Sequence, residues 1–238
     1  MSSCFPSSYE VEKEEVRPGA GLKEPSLITV VHEKIEAHVR LADLGLTYEI
    51  VRNAVLIGEL ARSSCTENDP PAAPGFFGWS RTTRGFREGT IPLGWKRSNG
   101  VGELATTVDP TGRIAIAVAT GCKNTGNPYA TPKTKYPKGP ATVAAVERNR
   151  VQLNLFVPFN PVPSDPTEAV TWLLLLSHSG KEISVELSLP NAIGADDRVE
   201  SWVERIIVDP ISVEPTPNFG KLEEAVDFSD IDVTRRTS

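Results

Sequence analysis

The chain has little of the chemistry that marks common catalytic and metal sites. Its three cysteines (Cys4, Cys65 and Cys122) are odd in number and far apart, which argues against a disulfide framework and fits a reducing compartment. Two of its three histidines, His32 and His38, lack the spacing of four residues that would place both on one helical face. A Gly-x-x-x-x-Gly-Lys-Ser/Thr phosphate loop is also missing. We therefore assign no catalytic residue, no metal site and no cofactor, and the sequence favours a non-enzymatic protein.

Long hydrophobic runs are missing as well. Runs such as residues 172–176 are far below the roughly 20 residues that a membrane-spanning helix needs. The first residues, Met-Ser-Ser-Cys-Phe-Pro-Ser-Ser-Tyr-Glu, contain no apolar stretch of the kind found in a secretory signal. From these features we expect a cytoplasmic protein with no membrane partner.

What the chain does contain is a strongly uneven charge. Residues 73–150 contain twelve Lys and Arg against four Asp and Glu, a net charge of +8, whereas the whole chain carries −6. A basic block inside an acidic protein indicates a surface for phosphate, nucleic acid or an acidic partner. The residues expected to contact phosphate or nucleic acid are Arg81, Arg84, Arg87, Lys96, Arg97, Lys123, Lys133, Lys135 and Lys138.

Apolar periodicity predicts an α+β fold, with N-terminal helices packed on a mainly antiparallel sheet of about five to six strands. The apolar face of the first helix, over 27–42, is expected to be Ile28, Val31, Ile35 and Val39, and Thr47 is expected to cap the second. Further elements are predicted as a helix at 76–88, hairpins at 103–118 and 170–189, one or two helical turns at 141–148, an extended segment at 151–157 and a last strand at 199–208.

Three regions follow from this pattern. Residues 1–25 are predicted to form a disordered arm, 26–212 a single α+β domain (helical over 26–90, sheet over 101–210), and 213–238 a flexible acidic tail. The tail spaces Leu222, Val226, Phe228 and Ile231 among carboxylates, so it could bind a protein partner or cover the basic block in cis.

Aromatic residues accompany the basic block. We expect Phe76, Phe77, Trp79 and Trp95 to belong to the core, because large aromatic side chains are usually buried. Tyr129 and Tyr136 lie in a loop rich in Gly, Thr, Lys and Pro (residues 119–140), where they would be available to stack on the bases of a single strand.

A five-residue motif ends the block. Gln152-Leu153-Asn154-Leu155-Phe156 resembles the Gln-Leu-x-Leu-Phe peptide by which many bacterial DNA polymerases and repair proteins dock on the β sliding clamp. The resemblance implies that Gln152, Leu153, Leu155 and Phe156 contact a clamp, with the apolar side chains in a groove and Gln152 at its rim. The alternative is a core strand, since Val151, Leu153, Leu155 and Val157 alternate.

Together these features predict a non-enzymatic accessory protein that contacts DNA through its basic residues and has a clamp-docking peptide. Two alternatives remain open. One is an enzyme or binder that holds a small phosphorylated ligand with the 120–140 loop. The other is a protein-interaction module that acts through the acidic tail.

Overall fold

The computed structural model describes residues 28–99, 104–154 and 169–213. Within them the chain has an α+β fold, with four α-helices and one seven-stranded mixed sheet. The predicted arm at 1–25 lies outside these residues, as does the predicted tail apart from Val213. The helices are α1 (Lys34–Asp43), α2 (Tyr48–Ser63), α3 (Ala73–Thr90) and α4 (Pro140–Asn154).

The strands are β1 (Thr29–Val31), β2 (Lys96–Ser98), β3 (Thr106–Val108), β4 (Ile114–Thr120), β5 (Val170–Ser179), β6 (Glu182–Ile193) and β7 (Val199–Ser212). Their order across the sheet is β1-β7-β6-β5-β4-β3-β2. The β1–β7 and β4–β5 pairs are parallel, and the other four are antiparallel. The sheet is thus mainly antiparallel, as predicted, but it has seven strands rather than five to six.

Local chemistry explains the elements that the sequence predicted well. The Thr47 hydroxyl accepts a hydrogen bond from the amide of Ile50, so it caps α2. The Asp109 carboxylate accepts bonds from the amides of Thr111 and Ile114, and Gly112 completes the β3–β4 turn with a φ of 75°. Gly180 has a φ of 61° in the β5–β6 turn.

The two faces of the sheet have different covers. Alternate residues of the central strands, such as Trp172, Leu174 and Val185, face a cluster that includes Leu41 of α1 and Val55 of α2. The opposite face packs a smaller cluster around Trp202, to which Val146 of α4 contributes. The crossover between the parallel strands β4 and β5 contains α4, as such a connection requires.

The face predicted for the first helix is wrong. Ile35 and Val39 are 78% and 57% exposed, whereas Ala37 and Leu41 are completely buried. The predicted helix also started too early, since Thr29–Val31 forms the edge strand β1 beside β7. Apolar residues at spacings of three and four occur on more than one face of this short helix. Tertiary packing selected the face that carries Ala37 and Leu41.

The extended segment predicted from Val151 is also wrong where it is described, because Val151–Asn154 forms the end of α4. The side chain of Asn149 explains the docking of this helix. It donates to the carbonyl of Thr171 and accepts from the amide of the same residue, both at 2.8 Å, in a fully buried position. A helical side chain thus pairs with strand backbone that would otherwise be unsatisfied.

Glycines allow α2 and α3 to pack closely. A Cβ at Gly58 would collide with the Thr82 hydroxyl and lie 2.8 Å from the carbonyl oxygen of Gly78. At Gly85 an added Cβ would approach the Cα of Ala54 to 3.1 Å. The two helices therefore approach backbone to backbone, which sets the position of α3 relative to the sheet.

We expect Gly58→Ala to destabilise the protein by about 1–3 kcal/mol, because the helices must separate to admit the methyl group. Gly75→Ala is the matched control, since an added Cβ at that position in α3 meets no heavy atom within 4 Å. Chemical denaturation of both variants measures the difference. Equal stability of the two variants would contradict the close-packing explanation.

Candidate functional site

A cavity of about 750 Å³ lies between α2, α3 and the carboxyl ends of β4 and β5. Thr120 and Leu176, which are register partners at the end of the parallel pair, form part of its wall. In open α/β sheets, ligands bind outside the carboxyl ends of parallel strands, and this cavity has the corresponding position. Its volume falls within the usual range for small-molecule sites.

Three chain segments besides the strands line the cavity. The first is the buried side of α2, with Glu59 and Arg62, and the second is the first half of α3, with Phe76 and Trp79. The third is the end of the Gly, Thr, Lys and Pro loop, here called the 121–139 loop, which supplies Lys135, Tyr136 and Lys138. The strand wall ends at His178 of β5.

Backbone hydrogen bonds hold the cavity end of this loop in place. The amide of Lys135 donates to the carbonyl of Thr120 at 2.8 Å, and the amide of Lys138 donates to that of Asp197 at 2.7 Å. Thr134 adds two contacts with Val199, one through its amide and one through its hydroxyl oxygen. The two lysines therefore project from a fixed backbone, and only their side chains must be ordered by a ligand.

A buried ion pair anchors the middle of the same loop. Arg205 of β7 and Glu186 of β6 are almost completely buried, with an N–O distance of 2.6 Å. The Glu186 carboxylate also accepts from the amide of Gly126, and the Arg205 guanidinium donates to the carbonyls of Asn127 and Ala130. The pair thus gains hydrogen bonds from the loop, and the loop gains a charged anchor on the sheet.

Glu59, Arg62 and His178 form a connected polar group in the cavity wall. Both Arg62 contacts with the Glu59 carboxylate are 2.6 Å long, and Nε2 of His178 lies 3.0 Å from Oε2 of Glu59. Burial lowers the pKa of His178 from its usual value, and the nearby charges of Arg62 and Lys135 lower it further, against the opposing effect of Glu59. The imidazole therefore stays neutral at neutral pH and presents Nδ1 as an acceptor.

The cavity is electropositive. Its lining contains the cations of Arg62, Lys135 and Lys138 and the single carboxylate of Glu59, which already pairs with Arg62. Burial lowers the pKa of Lys138 because its ammonium group loses hydration. Neither Lys135 nor Lys138 forms an ion pair with another of the described residues. An anion in the cavity would supply the missing counter-charge.

The structure brings only two of the nine predicted phosphate-contacting residues, Lys135 and Lys138, into this cavity. Lys123 is exposed elsewhere on the loop, and Lys96 and Arg97 are exposed on the edge strand β2. Lys133 pairs with Glu200, and Arg84 pairs with Glu88.

The other two predicted arginines have local surroundings of their own. Arg87 donates to the carbonyls of Ser98 and Thr106 and to the side chain of Asn99, so it ties α3 to the β2–β3 region. Arg81 lines a smaller cavity of about 260 Å³ between α2 and α3, together with Cys65 and Phe77.

The aromatic expectations are partly wrong. Trp95 is buried, as predicted, but Phe76, Phe77 and Trp79 are 58%, 38% and 39% exposed. Tyr129 and Tyr136 are exposed, as expected of stacking residues, and Tyr136 lies in the cavity wall. Sequence reasoning missed the contribution of Glu59, Arg62 and His178, because no local motif links His178 to residues that precede it by 116 and 119 positions.

The clamp-docking motif falls at the edge of the described residues. Gln152, Leu153 and Asn154 end α4, and Leu155 and Phe156 lie outside the described chain. Among the residues that the structure describes, no group of His, Cys, Asp and Glu could hold a metal ion, and no helix is long and apolar enough to cross a membrane.

Comparison with protein-family models, with curated proteins and with solved structures finds no match for this chain. The candidate site therefore has to be interpreted from its own geometry.

We expect Glu186→Gln to destabilise the protein by about 3–5 kcal/mol, because the buried guanidinium of Arg205 loses its counter-charge. Glu200→Gln is the control, since it breaks the exposed pair with Lys133 and should change stability far less. Urea denaturation measures both. Similar losses in the two variants would show that the buried pair does not anchor the loop.

A second prediction concerns pH. Because the folded pKa of His178 is lowered, the unfolded state takes up this proton first as the pH falls. The contribution of His178 to the free energy of unfolding is complete above its pKa in the unfolded chain, about 6.5. It is lost as the pH falls through the lower pKa that His178 has in the folded state. The stability advantage of the parent protein over His178→Gln should therefore shrink between about pH 7.5 and 5. Denaturation at a series of pH values tests this, with His32→Gln as the control; an advantage independent of pH contradicts it.

Proposed function

We propose that the protein binds a small phosphorylated ligand in the 750 Å³ cavity, with Lys135 and Lys138 as the phosphate-contacting residues. The observation that carries this proposal is the placement of two lysines without ion-pair partners among the described residues, on a fixed backbone, inside a concave site. A lysine whose only role is to keep the protein surface hydrated needs neither a fixed backbone nor a concave position. The positive lining favours an anion, and a compact phosphate suits ammonium donors.

The dispersed positions of the other cations support a small ligand more than a long phosphate backbone. A DNA surface needs several free cations along one track, because affinity rises with the number of neutralised phosphates. Arg84, Arg87 and Lys133 already have carboxylate or carbonyl partners. A DNA-associated role and clamp docking through Gln152–Phe156 both stay predictions.

Isothermal titration calorimetry with ribose 5-phosphate and with AMP tests the proposal. We expect saturable binding of at least one of them with a stoichiometry of one, weakened about tenfold or more by Lys138→Gln or Lys135→Gln, since a charge-assisted hydrogen bond is lost. Binding should also weaken with added salt.

The matched control is Lys123→Gln, which removes an exposed lysine from the same loop without touching the cavity lining. It should leave the affinity unchanged. Failure of both phosphorylated probes to bind would overturn the proposed function, as would equal effects of the Lys123 and Lys138 substitutions.

A further inference from the structure

Three exposed aromatic side chains, here called the aromatic wall, line the same cavity as the two lysines. Phe76 and Trp79 of α3 are 58% and 39% exposed, and Tyr136 of the loop is 56% exposed. Large aromatic side chains that remain exposed in a concave site mark a binding surface more often than a solvated one. Phosphate recognition alone gives no reason for this wall, because ammonium groups already satisfy an anion.

The central ring of the wall is held in a defined position. Nε1 of Trp79 donates to the carbonyl of Val118 at 3.1 Å, which ties the indole to the end of β4. Phe76 lies 6.1 Å from it between ring centroids, at an angle of 50°. A ring fixed before binding loses little conformational entropy when a ligand stacks on it.

The loop brings the cation and the aromatic surface together. Nζ of Lys135 lies 5.4 Å from the centre of the Tyr136 ring, and both side chains line the cavity with Phe76 and Trp79. A ligand that fills this site therefore meets cations and π-faces within one volume of about 750 Å³. A nucleotide carries the two matching groups, a phosphate and a flat base, joined by a ribose.

We propose that the ligand is a nucleotide, whose base stacks on Phe76 and Trp79 while its phosphate contacts Lys135 and Lys138. This inference rests on the proposed function and adds the chemical class of the ligand. The same nucleotide unit can come from two sources, a free mononucleotide or a residue of a single strand. Base–aromatic stacking tolerates any base, so the wall selects for a base without specifying which one.

Tryptophan fluorescence gives a direct readout. Of the four tryptophans, Trp95, Trp172 and Trp202 are at most 4% exposed, so Trp79 is the one that a ligand or quencher can reach. We expect AMP to quench this emission saturably in the full chain. AMP should bind about tenfold or more tightly than ribose 5-phosphate, which has the phosphate but no base. Adenosine, which lacks the phosphate, should also bind more weakly than AMP.

Phe76→Ala and Phe77→Ala form a matched pair of variants. Both side chains are exposed on α3, but Phe76 lines the large cavity and Phe77 lines the small one. We expect Phe76→Ala to weaken AMP binding about tenfold and to leave ribose 5-phosphate binding unchanged. Phe77→Ala leaves the lining of the large cavity intact and should weaken AMP binding far less than Phe76→Ala, although the two rings touch with centroids 5.8 Å apart. Circular dichroism confirms that each variant is folded, as expected for the loss of an exposed side chain.

The outcomes separate this inference from the proposed function. If ribose 5-phosphate binds as tightly as AMP, or if Phe76→Ala weakens both probes equally, a phosphate site remains and the nucleotide assignment is overturned. If neither probe binds, both proposals fail. A six-nucleotide oligo-dA strand distinguishes the source: binding tighter than AMP with a steeper salt dependence indicates a strand, and weaker binding indicates a free nucleotide. Whichever probe binds more tightly, a loss of its affinity in Phe76→Ala supports base stacking.

Discussion

The pairing of Glu186 with Arg205 puts two charges inside a sheet, where each loses its hydration. Such a pair contributes to a defined structure only when further hydrogen bonds offset the desolvation cost. Ser188 and the amide of Gly126 donate to Glu186, and the carbonyls of Asn127 and Ala130 accept from Arg205. Since three of these four partners belong to the 121–139 loop, the ion pair and the loop depend on each other. A long loop with little regular structure thereby takes one position on the sheet.

The cavity depends on that position. From its anchor over β6 and β7 the loop returns to the end of β4, where Lys135 donates its amide to Thr120. Lys135 and Lys138 therefore reach a site whose other walls belong to α2, α3 and the ends of β4 and β5, on the opposite side of the sheet from α4. Glu59 contributes to the same electrostatic arrangement, because it neutralises Arg62 and orients His178. Lys135 and Lys138 are therefore the two cations in the lining that have no carboxylate partner there.

Alternation of apolar and polar residues predicted β6 and β7, because their alternate residues, such as Val185 and Ile206, pack into the cluster with α1 and α2. The turns were predictable from Asp109, Gly112 and Gly180. The buried face of α1 and the helical end of α4 were not predicted correctly. A short apolar pattern is compatible with two structures, and packing against residues distant in sequence decides between them. The site was still less predictable. The basic loop pointed to Lys135 and Lys138, but no local pattern indicated that Arg62 or His178 would join them. No local pattern indicated that Phe76 would stay exposed either.

The exposed aromatic wall follows from how α3 is held. Its second half is fixed by buried Thr82, Phe86 and Thr90, and the close approach of Gly58 and Gly78 fixes the helix against α2. With the helix axis set in this way, Phe76 and Trp79 of the first half line the cavity near the end of β4 and remain partly exposed. Burying a large aromatic side chain contributes roughly 1.5–3 kcal/mol, so leaving Phe76 in solvent forgoes stability that a different axis would provide. A planar ligand on this wall would supply the burial that the fold itself does not.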